Sequence, residues 1–260
     1  MGFAVNPLDG VRIAYRCTGT GPPVVLVHGT ALSQVIWRGF GYVGDLSADH
    51  TVITLDLRGH GRSDKPRDES SYRADRFVAD VLAVLDRLDV EQTDYLGYSL
   101  GGRIGFSLAD TAGHRLRRLV SAAGAAGNRP GAFDRLFFPG CIATLESGGT
   151  AGFLDGWQAH LGEPIDRATR SALAVNDAPA LAAYMRQAEQ DAGVPDDRLA
   201  RIDVPTLMLV GSLDTERLAA AERVRAVWPA VTVQVIPGAT HSDLLRRPET
   251  RASVRSFLAG

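Results

Sequence analysis

The chain has 260 residues, 45% hydrophobic and 22% charged, with a formal net charge of −2: enough apolar material for a substantial α/β core and no excess of charge to hold a polyanion. Its basic residues are almost all arginine, with Lys65 the sole lysine, and they are scattered rather than drawn into a stripe that could follow a phosphate backbone, so no nucleic-acid partner is expected. Cys17 and Cys141 stand far apart and form no C-x-x-C pair, which excludes a disulfide framework or a zinc site of the usual spacing.

The N-terminal run Met1-Gly2-Phe3-Ala4-Val5-Asn6 lacks a charged leader and a long apolar segment, and Asn6 stands where a myristoylation signal needs Ser or Thr. With no apolar run long enough to span a bilayer, a cytoplasmic protein with free thiols and no membrane partner is expected. Phe3-Ala4-Val5 and Val11 to Tyr15, joined through Asp9-Gly10, predict a β-hairpin. Val24 to Val27 is apolar on successive residues, the pattern of a strand covered on both faces. The same kind of run recurs at Val52 to Leu55, Tyr95-Leu96, Leu119-Val120, Thr206 to Val210 and Val231 to Ile236, with helical patterns such as Phe77 to Leu88 and Arg217 to Trp228 between. That alternation predicts a mostly parallel α/β sheet with helices on both faces.

One stretch breaks the alternation. Residues 127–200 hold no convincing strand, only helical segments at Phe133 to Phe138, Phe153 to Leu161, Arg167 to Val175 and Leu181 to Gln190. A structureless loop of that length is rare in a compact domain, so a separate helical layer is expected, dividing the core into 1–126 and 201–260. Most of its large apolar residues should glue the layer to the core. Some should face a cleft, and Phe137, Phe153, Trp157 and Tyr184, with Trp37 from the core near the entrance, are the candidates for an apolar substrate pocket.

Chemistry is concentrated in Gly97-Tyr98-Ser99-Leu100-Gly101, which follows a strand-like run and opens into a helical one. A G-x-S-x-G segment in that setting lifts the serine hydroxyl on a strained turn, and only residues without bulk fit on either side. Alone the pattern is weak, and the nucleophile needs a base and a carboxylate to orient it. Asp214 follows the strand ending at Val210, and His241 follows the strand ending at Ile236. Both therefore sit beyond the carboxyl ends of parallel strands, the edge at which open α/β sheets assemble their sites and at which Ser99 also lies. Asp243 is a weaker candidate for the acid, being on the wrong loop to meet the outer ring nitrogen; a solvated helix-start carboxylate is the simpler reading. His50, His114 and His160 have no spacing that suggests a metal.

Taken together, His28-Gly29-Thr30, Asp56 to Ser63, the turn at Ser99, Gly211 to Asp214 and Gly238 to His241 resemble the α/β-hydrolase fold superfamily over essentially the whole chain. The small esterases, lactonases and perhydrolase-like members are the nearest in character. The resemblance implies an eight-stranded, mostly parallel sheet with a helical cap after the sixth strand, and the order Ser99, Asp214, His241 is the one this fold uses. It also implies an oxyanion hole made by the backbone N–H groups of Thr30 and Leu100, structural roles for His28 and His60, and a pairing of Asp56 with Arg58. It requires neither cofactor nor metal and allows a homodimer without specifying one. Serine at the turn argues against dehalogenases and epoxide hydrolases, which place aspartate there. The expected activity is hydrolysis of a small to medium, mainly apolar ester or lactone, with thioesters or C–C bonds as alternatives of the same chemistry and lyase, perhydrolase or ligand-receptor roles as alternatives of another class.

Overall fold

The computed structural model describes residues 1–127, 130–165, 167–228 and 230–260. Eight strands form one sheet: β1 (Gly2–Val5), β2 (Arg12–Thr18), β3 (Pro23–Val27), β4 (Thr51–Leu55), β5 (Thr93–Tyr98), β6 (Leu116–Ala122), β7 (Thr206–Gly211) and β8 (Thr232–Ile236), in the order β1-β2-β4-β3-β5-β6-β7-β8. β2 runs antiparallel to both of its neighbours, and every pairing from β4 to β8 is parallel. The hairpin and all eight strands thus fall where hydrophobic patterning puts them.

The β3 run explains itself physically. Val24 and Leu26 face one core, Val25 and Val27 the other, and all four are fully buried. One face of the sheet carries α1 (Val35–Gly39), α2 (Tyr42–Leu46) and the C-terminal α11 (Pro248–Ala259). The opposite face carries α3 (Ala74–Arg87), α4 (Leu100–Ala112) and α10 (Thr215–Val227). Beneath the β4 loop, Arg58 makes a two-pronged pair with Asp80 at 2.7 and 2.8 Å and a second with Asp9 at 2.8 Å. The expected Asp56–Arg58 pair is therefore replaced. Asp56 instead accepts from the Gln34 N–H, the Gln34 amide and the Arg62 N–H, so the two side chains brace different sides of the turn.

Between β6 and β7 the described residues form helices and no strand: α5 (Ala132–Leu136), α6 (Cys141–Leu161), α7 (Arg167–Ala174), α8 (Ala178–Gln190) and α9 (Asp196–Leu199). α6 begins well before the expected Phe153 and kinks at Gly149, whose φ of 62° no ordinary helical residue adopts. α8 is capped by Asp177, whose carboxylate accepts the Ala180 N–H. The excursion closes on itself where the Val194 N–H meets the Ala126 carbonyl at 3.0 Å, and a Cβ on Gly127 would strike the Ala192 carbonyl at 1.9 Å. α9, which the sequence assigns to the insertion, packs against α4 and α10 of the core. Among the described residues no helix is long and apolar enough to cross a membrane.

Candidate active site

β5 ends at Tyr98, and Ser99 makes the turn into α4 with φ 51° and ψ −109°, a conformation that costs a non-glycine residue about 1–3 kcal/mol. Surrounding bonds hold it there: the Ser99 N–H donates to the Ala122 carbonyl at 2.8 Å, and the Ser99 carbonyl accepts from the Arg103 N–H at 3.0 Å. The flanking glycines have no room to be anything else. A Cβ on Gly97 would lie 2.2 Å from the Gly101 oxygen, and one on Gly101 would lie 2.1 Å from the Val27 oxygen.

Three loops converge on this turn. His241 Nε2 lies 3.1 Å from Ser99 Oγ, and His241 Nδ1 lies 2.7 Å from Asp214 Oδ2. With the Nδ1–H donating to the carboxylate, Nε2 is left as the acceptor for the serine hydroxyl. Asp214 is also the N-cap of α10, where its Oδ1 accepts the Arg217 N–H at 3.3 Å, so the helix end and the imidazole share one carboxylate. The His241 side chain is 19% exposed and that of Asp214 only 9%, which leaves the ring reachable from outside and its partner shielded. Asp243 has different work: it accepts the Thr240 N–H at 2.8 Å and pairs with Arg247, bracing the loop that carries His241.

The loop His28 to Ala31 borders the serine from the other side. His28 Nδ1 donates to the Gly29 carbonyl at 2.8 Å while its Nε2 accepts the Leu57 N–H at 3.1 Å. His60 repeats the arrangement, donating to the Arg58 carbonyl at 2.9 Å and accepting the Ala31 N–H at 3.0 Å. Each ring can accept only while neutral, and burial lowers the basicity of both, that of His60 to about 3. The helical insertion reaches the same loop, with the Tyr184 hydroxyl 3.0 Å from Thr30 Oγ1 and the Asn176 amide donating to the Ala31 carbonyl at 2.9 Å.

A crevice opens over Ser99, walled by Thr30, Leu100, Arg103, Phe133, Leu136, Tyr184 and Arg217. Leu100 is the first residue of α4, so its N–H has no acceptor within the helix. Of the five side chains expected to line a pocket, Tyr184 does so. Trp37 does not: it is wholly buried against Tyr42 on the opposite face of the sheet, because α1 turns its indole into that core. Phe137, Phe153 and Trp157 pack edge to face on one another at centroid distances of 5.0 to 6.4 Å and form the insertion's own core. Phe133 and Leu136 take the wall positions instead, which sequence could have suggested only through the register of α5.

Sequence reasoning also missed Tyr98, Asn176 and the two arginines of the crevice. Tyr98 lies within the G-x-S-x-G segment and Arg217 in the first turn beyond Asp214, and neither carries a motif that marks its role.

The profile of the α/β-hydrolase fold matches residues 22–248. The chain is 27% identical to a putative 2-succinyl-6-hydroxy-2,4-cyclohexadiene-1-carboxylate synthase of Bacillus subtilis over 92% of both chains. It is 36% identical to a 2-hydroxymuconate semialdehyde hydrolase of a Pseudomonas species, over 43% of this chain and 39% of that one. Among solved structures, an esterase from Rhodococcus sp. ECU1013 superposes with a TM-score of 0.80 at 26% identity, covering all of this chain and 98% of the other. With that match spanning most of its length and this sheet order beneath it, the chain belongs to the α/β-hydrolase fold family.

Proposed function

We propose that the protein is a serine hydrolase that cleaves a small to medium carboxylic ester or lactone through an acyl-enzyme. The observation that carries this reading is the unbroken chain from Ser99 Oγ through His241 to Asp214, at 3.1 and 2.7 Å. In this mechanism His241 takes the serine proton as Oγ attacks the carbonyl carbon, then returns it to the departing alcohol oxygen. Asp214 holds the ring in the tautomer that makes this transfer possible and stabilises the imidazolium. The N–H groups of Thr30 and Leu100 receive the negative oxygen of the tetrahedral intermediate. Water, deprotonated by the same histidine, then releases the acid.

The esterase likeness supports ester cleavage, while the partial likeness to a muconate-type hydrolase favours a second reading, C–C bond hydrolysis by the same residues. A fluorophosphonate probe combined with a 4-nitrophenyl ester assay tests the first. Covalent labelling at Ser99 and a loss of about a thousandfold or more in kcat on Ser99→Ala are expected. An unlabelled serine, or turnover by the variant at the wild-type rate, overturns it.

A further inference from the structure

Resting on the serine-hydrolase reading, the geometry points to Arg217 as a specificity-determining residue that selects substrates carrying a carboxylate on the acyl side, a few bonds from the reacting carbonyl. Leu100, Phe133 and Leu136 give the crevice over Ser99 an apolar wall, and among the described residues two guanidinium groups border it. They are not equivalent. Arg103 is 9% exposed and its charge is matched by an ion pair with Asp191 at the end of α8. Arg217 is half-buried and has no acidic side chain within 4.0 Å among the described residues.

Its surroundings make that lack of a partner significant. Asp214, the carboxylate nearest in sequence, is committed to His241 and to the Arg217 backbone N–H. Glu216, the adjacent residue, pairs with Arg135. Arg217 also sits in the first turn of α10, where the helix end is already positive and a cation is disfavoured. Its charge favours ionisation of both Tyr98, next to Ser99 in the chain, and Tyr184, in the crevice wall, against the effect of their burial. An unmatched guanidinium facing apolar walls favours a ligand that is hydrocarbon at one end and anionic at the other, since a planar fork of donors fits a carboxylate. A thoroughly neutral substrate would leave that charge half-desolvated and unanswered.

The test compares 4-nitrophenyl pentanoate with mono-4-nitrophenyl glutarate, acyl groups of near-equal length that differ in a terminal methyl or carboxylate. For Arg217→Gln, the ratio of kcat/KM for the glutarate ester to that for the pentanoate ester is expected to fall about tenfold or more, chiefly through KM. Arg217→Lys should recover part of the ratio, and Arg217→Glu should lower it further. Each variant keeps the backbone N–H that binds Asp214, so His241 stays oriented. A ratio unchanged within about twofold in Arg217→Gln, or equal losses on both esters, overturns the assignment. A binding measurement separates this from the chemistry: calorimetric titration with glutaramate should show weaker binding by Arg217→Gln than by wild type, with a smaller change for pentanamide. Equal glutaramate binding overturns the proposal even where Ser99 is labelled, whereas failure of the hydrolase reading shows as an unlabelled Ser99 with the glutaramate difference intact.

Discussion

The hydroxyl of Tyr98 donates to the carbonyl oxygen of His241 at 2.7 Å, so the residue before the proposed nucleophile is bonded to the backbone of its proposed base. The rings of the two residues also lie 5.6 Å apart. Burial pushes the Tyr98 phenol well above its usual range, so it remains a donor at every working pH. β5 and the loop after β8 are separated by more than a hundred residues, and this bond is a direct tie between them. Tyr98→Phe keeps the ring and loses the donor. It is expected to lower kcat about tenfold with little change in KM, and to slow fluorophosphonate labelling of Ser99 in parallel. Wild-type labelling and turnover would show that His241 is positioned without it.

The two carboxylates near His241 predict opposite outcomes. Asp214 meets the ring at Nδ1, whereas Asp243 is occupied by the Thr240 N–H and Arg247. An amide in place of Asp214 can present its NH₂ to the ring and favour the tautomer with the proton on Nε2, where it cannot accept from Ser99. Asp214→Asn is therefore expected to reduce kcat by about 10³–10⁴, and Asp243→Asn by less than about tenfold with a lower melting temperature. Steady-state kinetics on the same ester decides, and the reverse order of effects would move the orienting role to Asp243.

How much of this was legible beforehand follows from the kind of signal each part leaves. Val24 to Val27 and the β7 run announce strands because burial on both faces demands unbroken apolar residues, and the Gly97 to Gly101 spacing announces the turn because backbone contacts forbid side chains there. Ser99, Asp214 and His241 could be placed at one sheet edge by counting strands. The crevice could not be read that way. Which of Phe133, Phe137, Phe153 and Trp157 faces Ser99 depends on the rotation of α5 and the kink of α6 at Gly149, and an apolar side chain looks the same in sequence whether it faces a ligand or a neighbouring helix. Arg58 failed for a related reason: Asp56 was nearest in sequence, but Asp80, on α3, was nearest in space.

Glycine at position 97 and glycine at position 148 should respond oppositely to alanine. At Gly97 the new methyl would stand 2.2 Å from a backbone oxygen, which no rotamer change relieves, and the Ser99 turn would have to open. At Gly148, within α6, nothing lies within 4 Å of the methyl. Gly97→Ala is expected to abolish labelling of Ser99 and to destabilise the fold by about 3 kcal/mol or more. Gly148→Ala should stabilise by about 0.5–1 kcal/mol through lost freedom in the unfolded chain. Urea unfolding of the two variants measures both, and a well-folded, active Gly97→Ala protein would contradict the tight packing of the turn.

The buried histidines His28 and His60 are expected to make the structure lose stability in acid. An unfolded chain protonates an imidazole near pH 6.5, about the ordinary value, but burial lowers His60 to about 3 in the folded protein and lowers His28 in the same direction. Below about pH 6.5 the unfolded chain therefore takes up protons that the folded chain refuses, so stability falls as pH drops toward 3 and is unaffected by these groups above about pH 7.5. Two pH units of this window correspond to about 2–3 kcal/mol for a single such histidine. The same protonation would remove the acceptors that hold the Ala31 and Leu57 N–H groups, so the loop bearing Thr30 should loosen before the core melts. His60→Gln is expected to be less stable at neutral pH, having lost a fitted ring, yet to lose less further stability than wild type between about pH 7.5 and 4.5. Urea midpoints measured across that range give the comparison directly. Parallel pH curves for wild type and variant would mean that the acid sensitivity arises elsewhere, from carboxylates such as Asp64, whose acidity its Arg12 partner strengthens, rather than from the histidines under the Thr30 loop.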